Sequence, residues 1–389
     1  MVGRAGSAGI HFPGESAFDI GATAPLRAIE VDHIGRGYNW VNRMSGNTTP
    51  GANDPMSALP IPAGPPVLLA LDWGTSSLRA FLIDGKAEVL GQRASSHGIQ
   101  NLPAPGVAGF EQAFAELCTE WLGEWPHLPV VAGGMVGSAQ GWVEAPYVPC
   151  PADVSQLARQ AGQVTAADGR PIHIAPGVIF DPADAPPDVM RGEEIQIAGA
   201  LAESPALAGR ACVVMPGTHS KWVEVDQSRI TRFDTYMTGE VFAVMTRHSI
   251  LGRLMTDEAP DVGAGDRAFA AGVEAARQSR PGDLLHQLFA ARTLGLTQRL
   301  PATALRDYLS GLLIGQELTS GLGRLAAAGQ EMPPIVLIGD VALSQRYVEA
   351  LKLFDVTPAA LLGNTAPRGL FHFAVAAGLV TPDGAGRGE

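Results

Sequence analysis

Val67–Gln92 reads VLLALDWGTSSLRAFLIDGKAEVLGQ, three strand-forming runs separated by two turns. The apolar run Val67–Leu71 ends at Asp72, the turn Gly74-Thr75-Ser76-Ser77 leads into Leu78–Ile83, and Asp84-Gly85 suits a tight hairpin. Glycine and short polar residues readily take the positive φ that such turns need, so the segment predicts an antiparallel meander.

The first turn carries the chemical interest. Gly74 leaves the backbone unshielded while Thr75, Ser76 and Ser77 supply hydroxyls and successive N–H groups, a plausible cradle for phosphate. Asp72 at the strand end beside it is placed to hold Mg²⁺ through water as the metal neutralises nucleotide phosphates. For one such motif alone, a hairpin with a polar turn is the better explanation.

A second copy shifts the balance. Ala211–Tyr236, ACVVMPGTHSKWVEVDQSRITRFDTY, repeats the order of apolar strand, Gly-Thr-x-Ser turn, strand with a basic start, polar turn and third strand. Gly217-Thr218-His219-Ser220 answers Gly74-Thr75-Ser76-Ser77. One repeat at domain spacing predicts two related lobes. Two such turns facing each other would clamp a polyphosphate.

Composition limits the partners. The 389 residues suffice for two domains with real cores, and 46% hydrophobic with 17% charged content is ordinary for a protein that folds in water. A formal charge of −12 disfavours nucleic acid and anionic membrane surfaces, which attract basic fields. Cys118, Cys150 and Cys212 are widely separated, with no metal-ligand spacing, so reduced buried thiols are expected. No apolar run is long enough to span a membrane and no compact signal segment opens the chain, which points to the cytoplasm.

Residues 1–66 are rich in Gly, Pro and Asn without sustained periodicity and are expected to be a poorly ordered leader. Met56 is a candidate alternative start, and the sequon at Asn47 carries no meaning without secretion. Beyond the meander, residues 109–121 have helical spacing, and 128–132 read as a short buried strand opening into Gly133–Trp142. The glycines there let a loop approach a ligand, and Ser138, Gln140 and Trp142 could meet a polyol; a purely structural loop is equally compatible.

Arg191-Gly192-Glu193-Glu194 precedes an apolar helical pattern. Paired carboxylates at a helix start are what the helix dipole favours; alternatively, Glu193 removes a proton from a substrate hydroxyl while Arg191 pairs with a substrate anion. His248, in the helical run 241–254, reads as an ordinary core or surface histidine. Gly263–Ala268 imitates a dinucleotide fingerprint but follows no strand, and no Walker A lysine motif occurs. Residues 304–325 read as a long helix that Gly311 and Gly315 open to a close neighbour. Residues 334–340 read as a strand ending at Gly339, where a flat ligand such as adenine could reach the backbone, and 342–354 and 369–380 as helices.

Six dispersed segments carry a family resemblance: Leu71–Arg79, Ala132–Ser138, Val189–Glu194, Met215–Trp222, Met237–Glu240 and Leu309–Gly315. In them the chain resembles the 2-dehydro-3-deoxygalactonokinases, over roughly residues 67–379. The resemblance implies an α/β, two-lobed actin-like ATPase (ribonuclease H-like) fold, each lobe a mixed sheet flanked by helices, with an ATP cleft between lobes spanning 67–190 and 191–383. It implies ATP and Mg²⁺ as cofactors and phosphorylation of the terminal hydroxyl of 2-dehydro-3-deoxy-D-galactonate in galactonate catabolism. Carried over, Gly74, Thr75, Ser76, Ser77 and Arg79 form the first phosphate loop, Gly217, Thr218, His219 and Ser220 the second, and Gly339 lies at the adenosine. Gly192-Glu193 stands where glycerol-kinase-like relatives have a Gly-Asp pair, so Glu193 is the candidate base, with Glu194 or Asp72 as alternatives. Gly134, Met135, Ser138 and Trp142 are expected along the sugar acid, with Arg191 and Lys221 as partners for its charge.

The expected partners are therefore ATP and a small sugar acid, without nucleic acid or membrane; the sequence leaves the oligomeric state open. Two rivals fit the same motifs. One is a kinase for another sugar or sugar acid; the other is an actin-like nucleotide-gated binding protein that hydrolyses ATP without an acceptor.

Overall fold

The computed structural model describes residues 64–382 except 328 and 330. The leader expected over 1–66, the alternative start at Met56 and the sequon at Asn47 lie, but for residues 64–66, outside the described residues.

The meander forms as β1 (Leu68–Trp73), β2 (Leu78–Ile83) and β3 (Val89–Ser95), antiparallel throughout, with Asp72 opposite Arg79. Asp84 closes the second turn with its side chain, whose Oδ1 accepts from the Lys86 and Glu88 N–H groups at 2.9 Å each. The positive φ falls on Ala87 (67°), two residues past the glycine that suggested the turn.

Parallel to β1 lies β4 (Val130–Gly133), then β7 (Pro171–Ile174), with β6 (Gly162–Thr165) antiparallel at the edge, giving the order β3-β2-β1-β4-β7-β6. The second sheet repeats this plan. Strands β10 (Arg210–Met215), β11 (Ser220–Asp226) and β12 (Arg229–Tyr236) form the second meander, and β13 (Ile335–Ile338) and β14 (Ala360–Leu362) join in parallel as β12-β11-β10-β13-β14. The duplicated turn motif is therefore the visible part of a duplicated sheet, the two-lobed actin-like architecture. A smaller sheet, β5 (Tyr147–Pro149), β8 (Gly177–Phe180) and β9 (Asp188–Met190), lies against β12.

Strand alternation sorts the core. Leu69, Leu71 and Trp73 face one way, onto α1 (Val107–Glu124), while Leu68 and Ala70 face the other. In the second sheet Cys212, Val214 and Trp222 pack on α5 (Ala264–Arg277), α7 (Leu305–Ala327) and α8 (Val341–Lys352), while Ala211, Val213 and Val223 turn inward. The inward faces of both sheets share one apolar cluster with α3 (Glu193–Glu203) and α9 (Ala366–Ala376). Those two helices touch so closely that a Cβ on Gly369 would sit 1.8 Å from Ile195 O. Truncating fully buried Leu370 in this layer to Ala would cost about 2–5 kcal/mol.

Helix α9 crosses between the two sheets. It follows the second sheet in sequence but packs on β1, β2 and β4 of the first. The segment 263–268 opens α5 with Gly263 at φ 71°, and no strand precedes it. Gly311 and Gly315 let α7 lie against α5, as their spacing suggested. Cys118 and Cys212 are buried, Cys150 is half-buried, and all are free thiols. Among the described residues no helix is long and apolar enough to cross a membrane.

Candidate active site

The first turn is pinned from one side and open on the other. Gly74 N–H donates to Ser77 O at 2.9 Å, and the N–H groups of Ile99 and Gln100 donate to Gly74 O and Thr75 O at 3.1 Å. Gly98 comes so near that a Cβ on it would lie 2.4 Å from the Ser76 and Ser77 nitrogens. Thr75 and Ser76 remain exposed. On the inward side, Arg79 Nη2 lies 2.7 Å from Asp72 Oδ2, at an angle that leaves this buried oxygen without an aligned donor. Burial pushes the Asp72 carboxyl up, and the Arg79 charge pulls it partly back.

From this turn a stack of glycines leads to the paired carboxylates. Gly134, at φ 93°, meets the end of β1 so closely that a Cβ would lie 2.8 Å from Trp73 O. Gly192, at φ 108°, in turn brings its Cβ direction within 3.2 Å of Gly134 Cα. Side chains at these two positions would be both strained and obstructed. Helix α3 starts at this contact.

Its two glutamates have different surroundings. Glu194 is 0% exposed, and both its oxygens accept from Gly192 N–H, at 2.9 and 2.7 Å. Burial, then the neighbouring Glu193 charge, push Glu194 up to about 8. Half-buried Glu193 accepts from Arg191 N–H at 3.0 Å; burial raises its pKa, and Lys221, then its backbone hydrogen bonds and His219, draw it back. Its electrostatic partners thus come from the second lobe.

Lys221 faces inward because it alternates with Ser220 and Trp222 on β11. Its Nζ donates to Val189 O at 3.1 Å and Thr235 Oγ1 at 2.7 Å, and Thr235 donates on to Asp188 at 2.7 Å through its hydroxyl and 2.6 Å through its N–H. Arg191 lies with its guanidinium 4.3 Å over the Tyr147 ring and Nη2 donating to Ala145 O at 2.8 Å. Although Arg191 is only 8% exposed, its Nε and Nη1 have no hydrogen-bond acceptor. Gly137 adjoins it, a Cβ there lying 3.1 Å from Nη1, so the 133–142 loop and Arg191 are neighbours.

The second turn is held by α4 (Thr238–His248). Glu240 N–H donates to Thr218 O at 3.0 Å, a Cβ on Gly239 would strike Gly217 O at 2.5 Å, and the Glu240 carboxylate pairs with the His219 ring. Thr218 and His219 are exposed. Gly339, at the end of β13, lies behind the turn, its Cβ direction 3.5 Å from Pro216 O.

Close backbone contacts thus join the end of β1, beside Asp72, Arg79 and Gly74, through Gly134 to Gly192 and the helix start at Glu193. The charges of Lys221 and His219 act on Glu193 from the second meander, with Gly217 and Gly339 beside that turn and Arg191 next to the loop that carries Met135 and Ser138. Three expected site residues have other surroundings. Trp142, expected to stack on a sugar, is 7% exposed, its ring packed on Trp73, Phe110 and Phe114. Ser220 is fully buried, its hydroxyl beneath the turn between Gly217 N–H at 3.4 Å and Tyr347 OH at 3.1 Å. Glu194, an alternative base, is sealed beneath Gly192. Sequence reading missed Gly98, Asp188, Thr235 and the pairing role of Glu240; of these only Glu240 carried a signal, in Met237–Glu240.

Among the described residues no group of three or more His, Cys, Asp or Glu side chains could hold a metal. Magnesium on a nucleotide needs less, one or two carboxylates completed by water and phosphate, and Asp72 Oδ2 is an acceptor of that kind.

A duplicated α/β sheet with a Gly-Thr turn in each copy and paired carboxylates at a helix start is the architecture of the actin-like phosphotransferases. The family model of 2-keto-3-deoxy-galactonokinase matches residues 72–373. The 2-dehydro-3-deoxygalactonokinase of Escherichia coli (strain K12) is 37% identical over 77% of this chain and 94% of its own length. A candidate enzyme of the same name from Rhizobium meliloti (strain 1021) is 37% identical over 77% of this chain and 93% of its own. A crystal structure of a candidate 2-dehydro-3-deoxygalactonokinase from Sinorhizobium meliloti is 34% identical, covers 79% of this chain and 98% of that one, and superposes with a TM-score of 0.68. The chain belongs to the 2-keto-3-deoxy-galactonokinase family.

Proposed function

We propose that the chain transfers the terminal phosphoryl group of ATP to the terminal hydroxyl of 2-dehydro-3-deoxy-D-galactonate, giving the 6-phosphate in galactonate catabolism in the cytoplasm. The observation that supports this reading is the contact series from Trp73 through Gly134 to Gly192, which joins the strand end before the first turn to the helix start of Glu193, a carboxyl on which the charge of Lys221 acts from the second meander.

In this reading the N–H groups and hydroxyls of Gly74, Thr75, Ser76 and Ser77 face phosphate oxygens from one lobe, with Gly217, Thr218 and His219 opposite, and Gly339 passes the adenine. Asp72 would hold Mg²⁺ through its water ligands, and the chemistry the ion supplies is neutralisation of phosphate charge. Gly134, Met135 and Ser138 line the sugar acid, while Arg191 receives its carboxylate on the two donor atoms that lack an acceptor. Lys221 adds positive charge next to Glu193.

Glu193 accepts the proton of the terminal hydroxyl as its oxygen bonds to phosphorus and the bond to ADP breaks. Burial raises the pKa of this carboxyl, which makes it a stronger base than an ordinary glutamate. Positioning and charge neutralisation dominate a largely dissociative transfer, so the two turns bear the larger share.

A coupled assay with ATP, Mg²⁺ and a panel of 2-keto-3-deoxy sugar acids tests the reading. ATP consumption that requires the galactonate derivative and yields its 6-phosphate is expected. Preference for a different acid would move the specificity, and ATP hydrolysis independent of any acceptor would overturn the kinase assignment.

A further inference from the structure

Glu317 lies on α7, 2% exposed, the one charged residue among the buried residues of that helix, most of which are apolar or glycine. A carboxylate is costly to bury unless it is hydrogen-bonded. Here Oε1 accepts from Trp222 Nε1 at 2.9 Å, and Oε2 accepts from Tyr347 OH at 2.7 Å and from the Thr238 hydroxyl. The donors are neutral, and each comes from a different element.

The direction of the bonds follows from this. Tyr347 spends its proton on Glu317, so its oxygen accepts from Ser220 Oγ–H at 3.1 Å, and Ser220 Oγ accepts from Gly217 N–H at 3.4 Å. The backbone of the second turn is thereby tied to Glu317 through two hydroxyls. Thr238 opens α4, whose next two residues touch Gly217 and Thr218. Tyr347 belongs to α8, which follows Gly339, and Trp222 is the neighbour of Lys221 on β11. Each segment given to the nucleotide side of the second lobe thus ends on this one buried carboxylate, which itself touches none of the proposed substrates.

We propose that Glu317 is a positioning residue that sets the second turn for the nucleotide, through Tyr347 and Ser220 on one arm and Thr238 on the other. This rests on the reading of that turn as a phosphate loop.

The test is a set of full-length variants, Tyr347→Phe, Ser220→Ala, their double variant and Glu317→Gln. For each, KM for ATP, KM for the sugar acid, ATP affinity by titration calorimetry and Tm are measured. Loss of one link is expected to weaken ATP, in KM and affinity alike, by about threefold to tenfold, with the sugar-acid KM within about twofold. The double variant should match the worse single one, because the two hydroxyls act in series. Glu317→Gln keeps the shape and can still accept from Trp222, but its amide turns a donor toward Tyr347 and Thr238, so it should weaken ATP at least as much. Unchanged ATP affinity in folded Tyr347→Phe and Ser220→Ala, or equal losses for both substrates, would overturn the proposal. A wild-type protein that binds ATP but phosphorylates no sugar acid would refute the kinase reading alone, since calorimetry would still test the network.

Discussion

The two turns are copies in sequence and opposites in support. The first is braced by backbone: segment 98–100 lies across it, and its acidic neighbour Asp72 faces Arg79 on the inward side. The second has a backbone contact from the start of α4 but is braced by side chains as well: Glu240 holds His219, and Ser220 reaches down to Tyr347 and through it to Glu317. Duplication preserved the sheet and the turn that chemistry needs, while the means of holding each turn diverged. A backbone brace tolerates side-chain change; a side-chain brace exposes its turn to single substitutions.

The largest effect is expected at the start of α3. Glu193→Gln should lower kcat by about 10²–10⁴ while leaving ATP affinity near wild type. Near-normal turnover would reduce Glu193 to a partner of the Arg191 N–H.

On the first turn, Asp72→Asn should raise the Mg²⁺ needed for half-maximal rate by about 10- to 100-fold. An unchanged Mg²⁺ dependence would leave Asp72 as a partner for Arg79 only.

The sealed carboxyl makes a thermodynamic prediction. Glu194 sits near 8 when folded against an ordinary 4.5, so between those values the folded chain binds more protons than the unfolded one. Its contribution to stability is complete below pH 4.5 and is lost as pH rises toward 8. Tm of the wild type should fall across that window more steeply than Tm of Glu194→Gln; parallel curves would contradict the raised value.

The smallest effect is on the exposed brace of the second turn. Surface ion pairs contribute about 0–1 kcal/mol, so His219→Gln should change KM for ATP by less than about fivefold. A larger loss would mean that the His219 ring, and not only its backbone, contacts the nucleotide.

Much of this was legible in the sequence. Both meanders, both turns and the helix-start carboxylates announce themselves through local pattern, because alternation and turn residues act over a few positions. Ser220 could have been assigned to the helix-covered face by the same alternation, since it shares that strand face with Trp222. Trp142 could not, because its burial depends on Trp73 and Phe110 from distant segments. Gly98 and Gly134 are opaque for a similar reason: which backbone they approach is set by tertiary packing. Helix α9 returning to the first sheet is a matter of topology that no local signal encodes.

A crystal structure of the full chain with a non-hydrolysable ATP analogue, Mg²⁺ and 2-dehydro-3-deoxy-D-galactonate tests the convergence of the two turns most directly. Thr75 and Thr218 should each lie against phosphate oxygens of one nucleotide, with Glu193 on the terminal hydroxyl. Phosphates resting on one turn alone, or a sugar acid bound away from Glu193, would contradict it.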